Sequence, residues 1–293
     1  MLKIERRLIE FVEKHMCLLG ALVLSLLALY LRKIAVWWNY ESIGAYFDMH
    51  QNYTQTSVYF VLVRLVQYFP VLPVHSIKWL AGLADFGVAG LTVYMLGHEA
   101  DDRKRLIFYT VSLFSPVLFL RGIIWAQPDS VAILLLMTGY VIYDSKQSAN
   151  KKIGILIACI PVILAISLCP YLFPIVVLYL WNKEKGQKEF WINVLLLLSG
   201  GVVLQLLCTL VIGQPWMDGI FSGIRFLTYH PESGALYEDA GEWLLQLVYL
   251  YSAVAAVLTA LAAGKRRISY GWTILIQTVA ALLYGAELFQ VLS

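Results

Sequence analysis

The chain has 293 residues, of which 60% are hydrophobic and 14% are charged, and its formal net charge is +3. A soluble domain of this size carries about a quarter charged residues, so the composition excludes an ordinary soluble globular protein. The apolar residues come in blocks of about 20, the length that crosses a bilayer as a helix. Because these blocks are continuously apolar and do not alternate, the sequence excludes a transmembrane barrel.

Residues 1–15 are charged on one face and apolar on the other, which predicts a short helix on the cytoplasmic membrane surface. The rest predicts an all-α, polytopic transmembrane helical bundle of about nine spans, organised as a single transmembrane domain over 1–293. The predicted spans are 16–38, 74–97, 105–123, 128–144, 152–168, 169–182, 189–212, 243–263 and 270–291.

The distribution of lysine and arginine sets the orientation of these spans. With the N-terminus in the cytoplasm, every short cytoplasmic loop carries three cations, and 16 of the 22 Lys and Arg residues lie on that side. This agrees with the positive-inside rule. The sequence therefore predicts a multi-pass plasma-membrane protein with an extracytoplasmic C-terminus. The net charge reflects this topology and does not indicate a nucleic-acid partner.

Two long segments, 39–73 and 213–242, then form the first and second outer loops. The first contains TSVYFVLVRLVQYFP, which is too short and too interrupted to span a membrane. Arg64 and Gln67 share a polar stripe on it. We therefore expect an amphipathic helix that lies in the outer interface.

The stretch RGIIWAQPDS, from Arg121 to Ser130, joins two apolar runs and contains an acid, an amide, a cation and an indole. Polar groups at the end of a span are costly unless they are wetted or paired. We expect them at the outer membrane surface, facing a lipid-linked substrate, with Gln127 and Asp129 as binding residues. The alternative, which the sequence favours equally, is that Asp129 only caps the following helix.

Candidate catalytic acids lie in the first outer loop, where Asp48 or Glu41 is placed to act as a general base toward an acceptor hydroxyl. A solvated loop acid is the alternative for either residue. The candidate phosphate-binding residues near the outer face are Arg121, Lys78, Arg225 and His230.

Two further cations, Arg32 and Lys33, lie near the outer end of the first span, and snorkelling to head groups is the alternative for all cations at span ends. Asp85 lies at mid-depth in its span, where it would bond a neighbouring helix or serve transport.

The segments IKWLAGLADFGVAGLTVYMLG and SLFSPVLFLRGIIWAQPDSVAILLLMTGYVIY resemble the membrane glycosyltransferases of the GT-C class, and among them the bacterial mannosyltransferase-like members. That family has an outer-face W-G-Q-x-D-S sequence at the start of the fourth span. Here the corresponding residues are Trp125 to Ser130, with Ala126 in place of glycine. The resemblance covers residues 16–182.

The resemblance implies an inverting transfer of a sugar from a polyprenyl-phosphate donor to a glycan, lipid or protein acceptor on the extracytoplasmic face. It also implies that the catalytic acid lies in the first outer loop, at Asp48 or Glu41. The family's Asp-Tyr pair reads Asn39-Tyr40-Glu41 in this chain. The scheme requires no cofactor beyond the donor and no metal, although a divalent metal remains compatible with it.

Two other functions fit the sequence. The departure from Asp-Tyr, and only two spans after the second outer loop, favour a non-catalytic GT-C-fold subunit that binds lipid-linked sugar or pairs with an active partner subunit. A transporter of a lipid-linked substrate is the third hypothesis. It predicts several charges within the spans, of which Asp85 is the clearest.

Overall fold

A computed structural model shows an all-α protein, with seven α-helices, one π-helical turn and one 3-10 turn in the residues that it describes. Those residues are 3–37, 56–66, 68, 73–97, 101–115, 118–124, 126–146, 151–173, 176–177, 179–180 and 188–213. The predicted eighth and ninth spans, and the second outer loop, lie outside these ranges.

Four of the seven helices begin and end within two residues of predicted spans, namely 74–97, 128–144, 152–168 and 189–212. The seven helices are α1 Lys3–Val36, α2 Ser57–Val66, α3 Pro73–Met95, α4 Asp102–Leu113, α5 Asp129–Lys146, α6 Lys151–Leu168 and α7 Lys188–Ile212. The π turn is Phe119–Ile124, and the 3-10 turn is Pro170–Leu172, at the beginning of the predicted sixth span.

Helix α1 contains the boundary that the sequence predicts between a surface helix and a first span. Its backbone leaves helical geometry at His15, with φ −112° and ψ 17°, so the charged N-terminal segment is kinked against the apolar one. The apolar part, His15–Val36, and α7 are both long and apolar enough to cross a membrane, with mean hydropathies of 1.9 and 2.5.

Most side chains of these two helices face outward. Only 11% of the most apolar window of α1 and 17% of that of α7 is buried. Leu18 and Leu210, for example, are 70% and 72% exposed. A core helix of a soluble protein would be covered, whereas exposed apolar surface on this scale marks a membrane-facing or partner-facing region.

Helix α3 lies at the centre of the described part and contacts α1, α2, α4, α5 and the π turn. Helix α5 pairs most extensively with α6, which in turn packs on α7. At Gly139 the α5–α6 approach is so close that a Cβ atom would come within 2.5 Å of Val162 Cγ2. Small residues at helix crossings allow this kind of packing in membrane proteins.

Helix α2 is the amphipathic helix predicted in the first outer loop, and it is more enclosed than an interfacial helix. Its buried residues are Ser57, Val58, Tyr59, Phe60, Val63 and Val66. It packs against α7, α3 and α6. Arg64 donates to the carbonyls of Val211 (3.2 Å) and Ile212 (3.3 Å), so its charge caps the end of α7. Gln67 lies outside the described residues.

The prediction of one continuous helix over 105–123 is wrong. Helix α4 ends at Leu113, twelve residues after it begins, and a π turn follows from Phe119. Pro116 lies between them in the sequence. The residue before a proline is driven out of helical geometry, which explains why an otherwise apolar run is interrupted. The π turn that follows the interruption contacts α1, α3 and α5.

Candidate functional site

The Arg121–Ser130 stretch contains two uncommon backbone conformations, a π-helical turn and a residue with a positive φ. After the π turn, Ala126 adopts a positive φ of 54°, which is uncommon for a residue with a side chain. Tyr59 of α2 donates its hydroxyl to the Ala126 carbonyl at 2.9 Å and so fixes this position. A non-glycine residue in this conformation costs about 1 kcal/mol or more, so the surrounding contacts must hold it.

Helix α5 begins directly after this turn. Ala132 donates its backbone N–H to the carbonyl of Pro128 at 2.9 Å, which makes Asp129 the first helical residue. The Asp129 side chain is buried, with 4% exposed, and therefore does not point into bulk solvent. A carboxylate in the first turn is stabilised by the helix dipole. This position fits both a substrate-binding and a helix-stabilising role. Gln127 is half-buried beside it.

A buried ion pair joins α1 to α3. Arg32 of α1, 1% exposed, and Asp85 of α3, fully buried, are joined by Nη2–Oδ2 and Nε–Oδ2 hydrogen bonds of 2.8 and 3.2 Å. The guanidinium also donates to the Leu113 carbonyl at 2.7 Å, where α4 ends. It lies 5.3 Å from the Phe86 ring and 5.7 Å from the Phe119 ring. One cation therefore connects α1, α3 and the end of α4.

This pair bears on two of the sequence hypotheses, the binding of a head group by Arg32 and the bonding of a neighbouring helix by Asp85. Arg32 does not reach a head group, because its charge is bound to Asp85 inside the bundle. Asp85 bonds a neighbouring helix, as one of its two alternatives predicted. Burial of both charged groups has a large desolvation free energy, which is offset only when the ion pair has good hydrogen-bond geometry.

Ser130, in the first turn of α5, packs against the π turn. It is fully buried, and its Oγ has no hydrogen-bond partner in the described ranges. Gly122 of the π turn fits against the same point, where a Cβ atom would come within 2.9 Å of Ser130 Oγ and 3.0 Å of Ala81 Cβ.

The packing of Gly122 against both Ser130 and Ala81 shows how far along α3 helix α5 begins. Ala81 lies eight residues from the beginning of α3, which is about 12 Å along a helix axis. Helix α5 thus starts beside the third turn of α3 and not at the level of its first residue. The location of the stretch at the outer membrane surface stays a prediction.

A second set of buried polar side chains, Lys78, His75 and Ser76, lies where α1 ends and α3 begins. Lys78 is fully buried, and its Nζ lies 3.5 Å from the Val36 carbonyl at the end of α1. His75 is 2% exposed, and its ring packs on Trp37 with centroids 4.7 Å apart. Neither ring nitrogen of His75 nor the hydroxyl of Ser76 has a hydrogen-bond partner in the described part of the chain. Sequence reasoning found Lys78 and missed the other two.

The remaining sequence-predicted site residues cannot be located relative to these groups. Asp48, Glu41, Arg225 and His230 lie outside the described residues. The backbone of Arg121 lies in the π turn, and its side chain is outside what the structure describes. The structure therefore brings Gln127, Asp129 and Ser130 together at one helix start, with Lys78 nearer the beginning of α3.

A half-open apolar cavity lies toward the opposite end of α5, between α5, α6 and α7. Tyr140 and Tyr179 stack there with ring centroids 4.2 Å apart, and Tyr179 donates to Asp144 at 3.0 Å. Tyr140 is eleven residues, about 16 Å, from Asp129 along the helix. The cavity is thus separate from the start of α5.

Across the described ranges, no cluster of three His, Cys, Asp or Glu side chains has a geometry suited to a metal ion. Comparisons with protein-family models, with curated proteins and with solved structures found no match to this chain.

Proposed function

We propose that the protein is a membrane glycosyltransferase that moves a sugar from a polyprenyl-phosphate donor to an acceptor on the extracytoplasmic face. The observation that carries the proposal is the backbone conformation of Ala126, in the motif that resembles the family sequence. The family sequence has glycine where this chain has Ala126, and Ala126 adopts a positive φ, which glycine takes most easily. A positive φ at this position is thus compatible with the glycine of the family sequence.

Two polar groups lie at the start of α5, the buried carboxylate of Asp129 and the half-buried amide of Gln127. In the proposed reaction they orient the sugar. The Asp48 or Glu41 carboxylate accepts the proton of the acceptor hydroxyl as that oxygen attacks the anomeric carbon. The bond to the lipid phosphate breaks in the same displacement, which inverts the anomeric centre. Arg121 and Lys78 hold the departing phosphate by charge.

A transfer assay in proteoliposomes tests this proposal. Purified protein is supplied with polyprenyl-phosphate mannose as donor and with a membrane lipid extract as acceptor. We expect Asp129→Asn to lower the transfer rate about a hundredfold, the scale on which loss of an oriented polar group reduces catalysis. Asp144→Asn, an exposed acid at the other end of α5, is the matched control and should keep the rate.

The same assay separates the enzyme from the non-catalytic subunit. Asp48→Asn and Glu41→Gln should leave donor binding intact, while the variant that removes the base abolishes transfer. If the wild-type protein binds the donor and transfers nothing, the catalytic proposal fails and the subunit hypothesis is supported.

A specific observation favours the transporter as the second candidate. Helix α4 is interrupted beside the buried Arg32–Asp85 pair, and discontinuous helices with buried charges are the usual construction of transporter binding sites. Movement of a fluorescent prenyl-phosphate lipid between leaflets, dependent on Asp85 and without sugar transfer, would favour transport over transfer.

A further inference from the structure

We propose that the first turn of α3 is an anion-binding site that takes the phosphate group of a prenyl-phosphate ligand, with His75, Ser76 and Lys78 as its donors. The inference rests on the proposed function only in naming a lipid as the phosphate's carrier. The donors themselves are identified from the packing of α1 against α3.

His75 is the strongest component of this site. It is the third residue of α3, 98% buried, and neither ring nitrogen bonds any group in the described ranges. An imidazole carries at least one N–H donor in every protonation state. A buried donor that no protein group satisfies is unusual and calls for a ligand or water. The exposed Trp37 ring packs against the imidazole, with the two ring centroids 4.7 Å apart.

Ser76 adds a second donor in the same turn. It is 9% exposed, and its hydroxyl likewise lacks a described partner. The first backbone N–H groups of any helix have no intrahelical acceptor, and the dipole makes this end positive. Two unused side-chain donors therefore coincide with a helix end that already favours a phosphate.

Lys78 supplies the formal charge. It follows His75 by three residues, so both side chains project from one face of α3, and helical side chains lean toward the N-terminus. Both side chains are buried, with 0% of Lys78 and 2% of His75 exposed. The competing explanation is that Lys78 only caps α1 through its 3.5 Å contact with the Val36 carbonyl.

Binding to the full-length protein in detergent micelles tests the inference with three probes. Farnesyl phosphate carries both a lipid and a phosphate, farnesol carries the lipid alone, and inorganic phosphate carries the anion alone. The variants are His75→Leu, Ser76→Ala and the conservative His75→Gln, which keeps a donor. Lys104→Gln, at an exposed lysine in the first turn of α4, is the matched control.

We expect farnesyl phosphate to bind at least about tenfold more tightly than farnesol, the equivalent of one charge-assisted hydrogen bond. His75→Leu and Ser76→Ala should each weaken farnesyl phosphate about tenfold and leave farnesol unchanged. His75→Gln should restore most of the affinity, and Lys104→Gln should have no effect. Displacement by inorganic phosphate would identify the free anion as a ligand of the same site, and its absence would assign the site to the lipid head group.

Equal binding of farnesyl phosphate and farnesol would overturn both this inference and the choice of a prenyl-phosphate donor. A preference for farnesyl phosphate that survives in His75→Leu and Ser76→Ala would overturn the inference alone, because the phosphate would then bind elsewhere. If His75→Leu fails to fold, Ser76→Ala decides, since a serine-to-alanine change leaves no cavity large enough to unfold a helix.

Discussion

The Arg32–Asp85 pair offers the sharpest test of the packing. Replacing Arg32 with methionine removes two hydrogen bonds to Asp85 and one to the Leu113 carbonyl, and it leaves a fully buried carboxylate without its cation. Removing one partner of a buried pair costs about 3–5 kcal/mol of unfolding free energy. Asp85→Leu, which leaves the guanidinium without its carboxylate, should cost a similar amount.

The double variant Arg32→Met/Asp85→Leu should cost much less than the sum of the two single changes, because no buried charge then remains. About 1–3 kcal/mol should persist, since the Leu113 carbonyl has lost its donor. Unfolding by SDS in mixed micelles, followed by circular dichroism, measures all three variants against Lys33→Met, an exposed neighbour expected to change stability by under about 0.5 kcal/mol. Additive single effects, or an Arg32→Met cost below about 1 kcal/mol, would refute a buried and coupled pair.

Three further changes test separate parts of the architecture. Ala126→Gly should leave the free energy of unfolding unchanged or raise it in the same assay, because glycine adopts the positive φ of 54° without strain. A decrease of about 1 kcal/mol, which is typical of an alanine-to-glycine change within a helix, would show that the turn is unstrained. Gly139→Ala should lower the free energy of unfolding by about 1–3 kcal/mol, because the added Cβ would lie 2.5 Å from an atom of the facing helix. Gly90→Ala should raise it slightly, because a Cβ there contacts nothing within 4 Å. Equal effects of the two changes would contradict the close approach of α5 and α6. Tyr59→Phe should lower the free energy of unfolding by about 1 kcal/mol, because its hydroxyl donates a 2.9 Å hydrogen bond to the Ala126 carbonyl before α5. Unchanged stability would show that this hydrogen bond does not hold the turn.

The extent of the helices was predictable because it follows from apolar length and flanking charge. The boundary near residue 15 coincides with the kink at His15, and α3, α5, α6 and α7 begin within one or two residues of their predicted starts. These features are local, so the sequence contains them directly.

The interior of the bundle was less predictable because its contacts join distant residues. Arg32 and Asp85 are 53 residues apart, and no periodicity indicates that a cation near a span end turns inward to a mid-span acid. The sequence does contain a local indication that α4 is interrupted, the Ser115-Pro116 pair, because the residue before a proline disfavours helical geometry. The continuous apolar character of the run nevertheless predicts a single span. Burial of His75 and Ser76 depends on the packing of α1 against α3, so only the fold identifies them as unusual.

Photo-crosslinking with a diazirine-bearing farnesyl phosphate tests the central claim most directly, because it locates the ligand without knowledge of the sugar. The probe is irradiated with the full-length protein, and labelled peptides are mapped by mass spectrometry with and without excess farnesyl phosphate. The proposed site predicts competed labels in residues 73–82 and 118–130. Competed labels confined to the tyrosine-lined cavity between α5, α6 and α7, with none in those two segments, would contradict it.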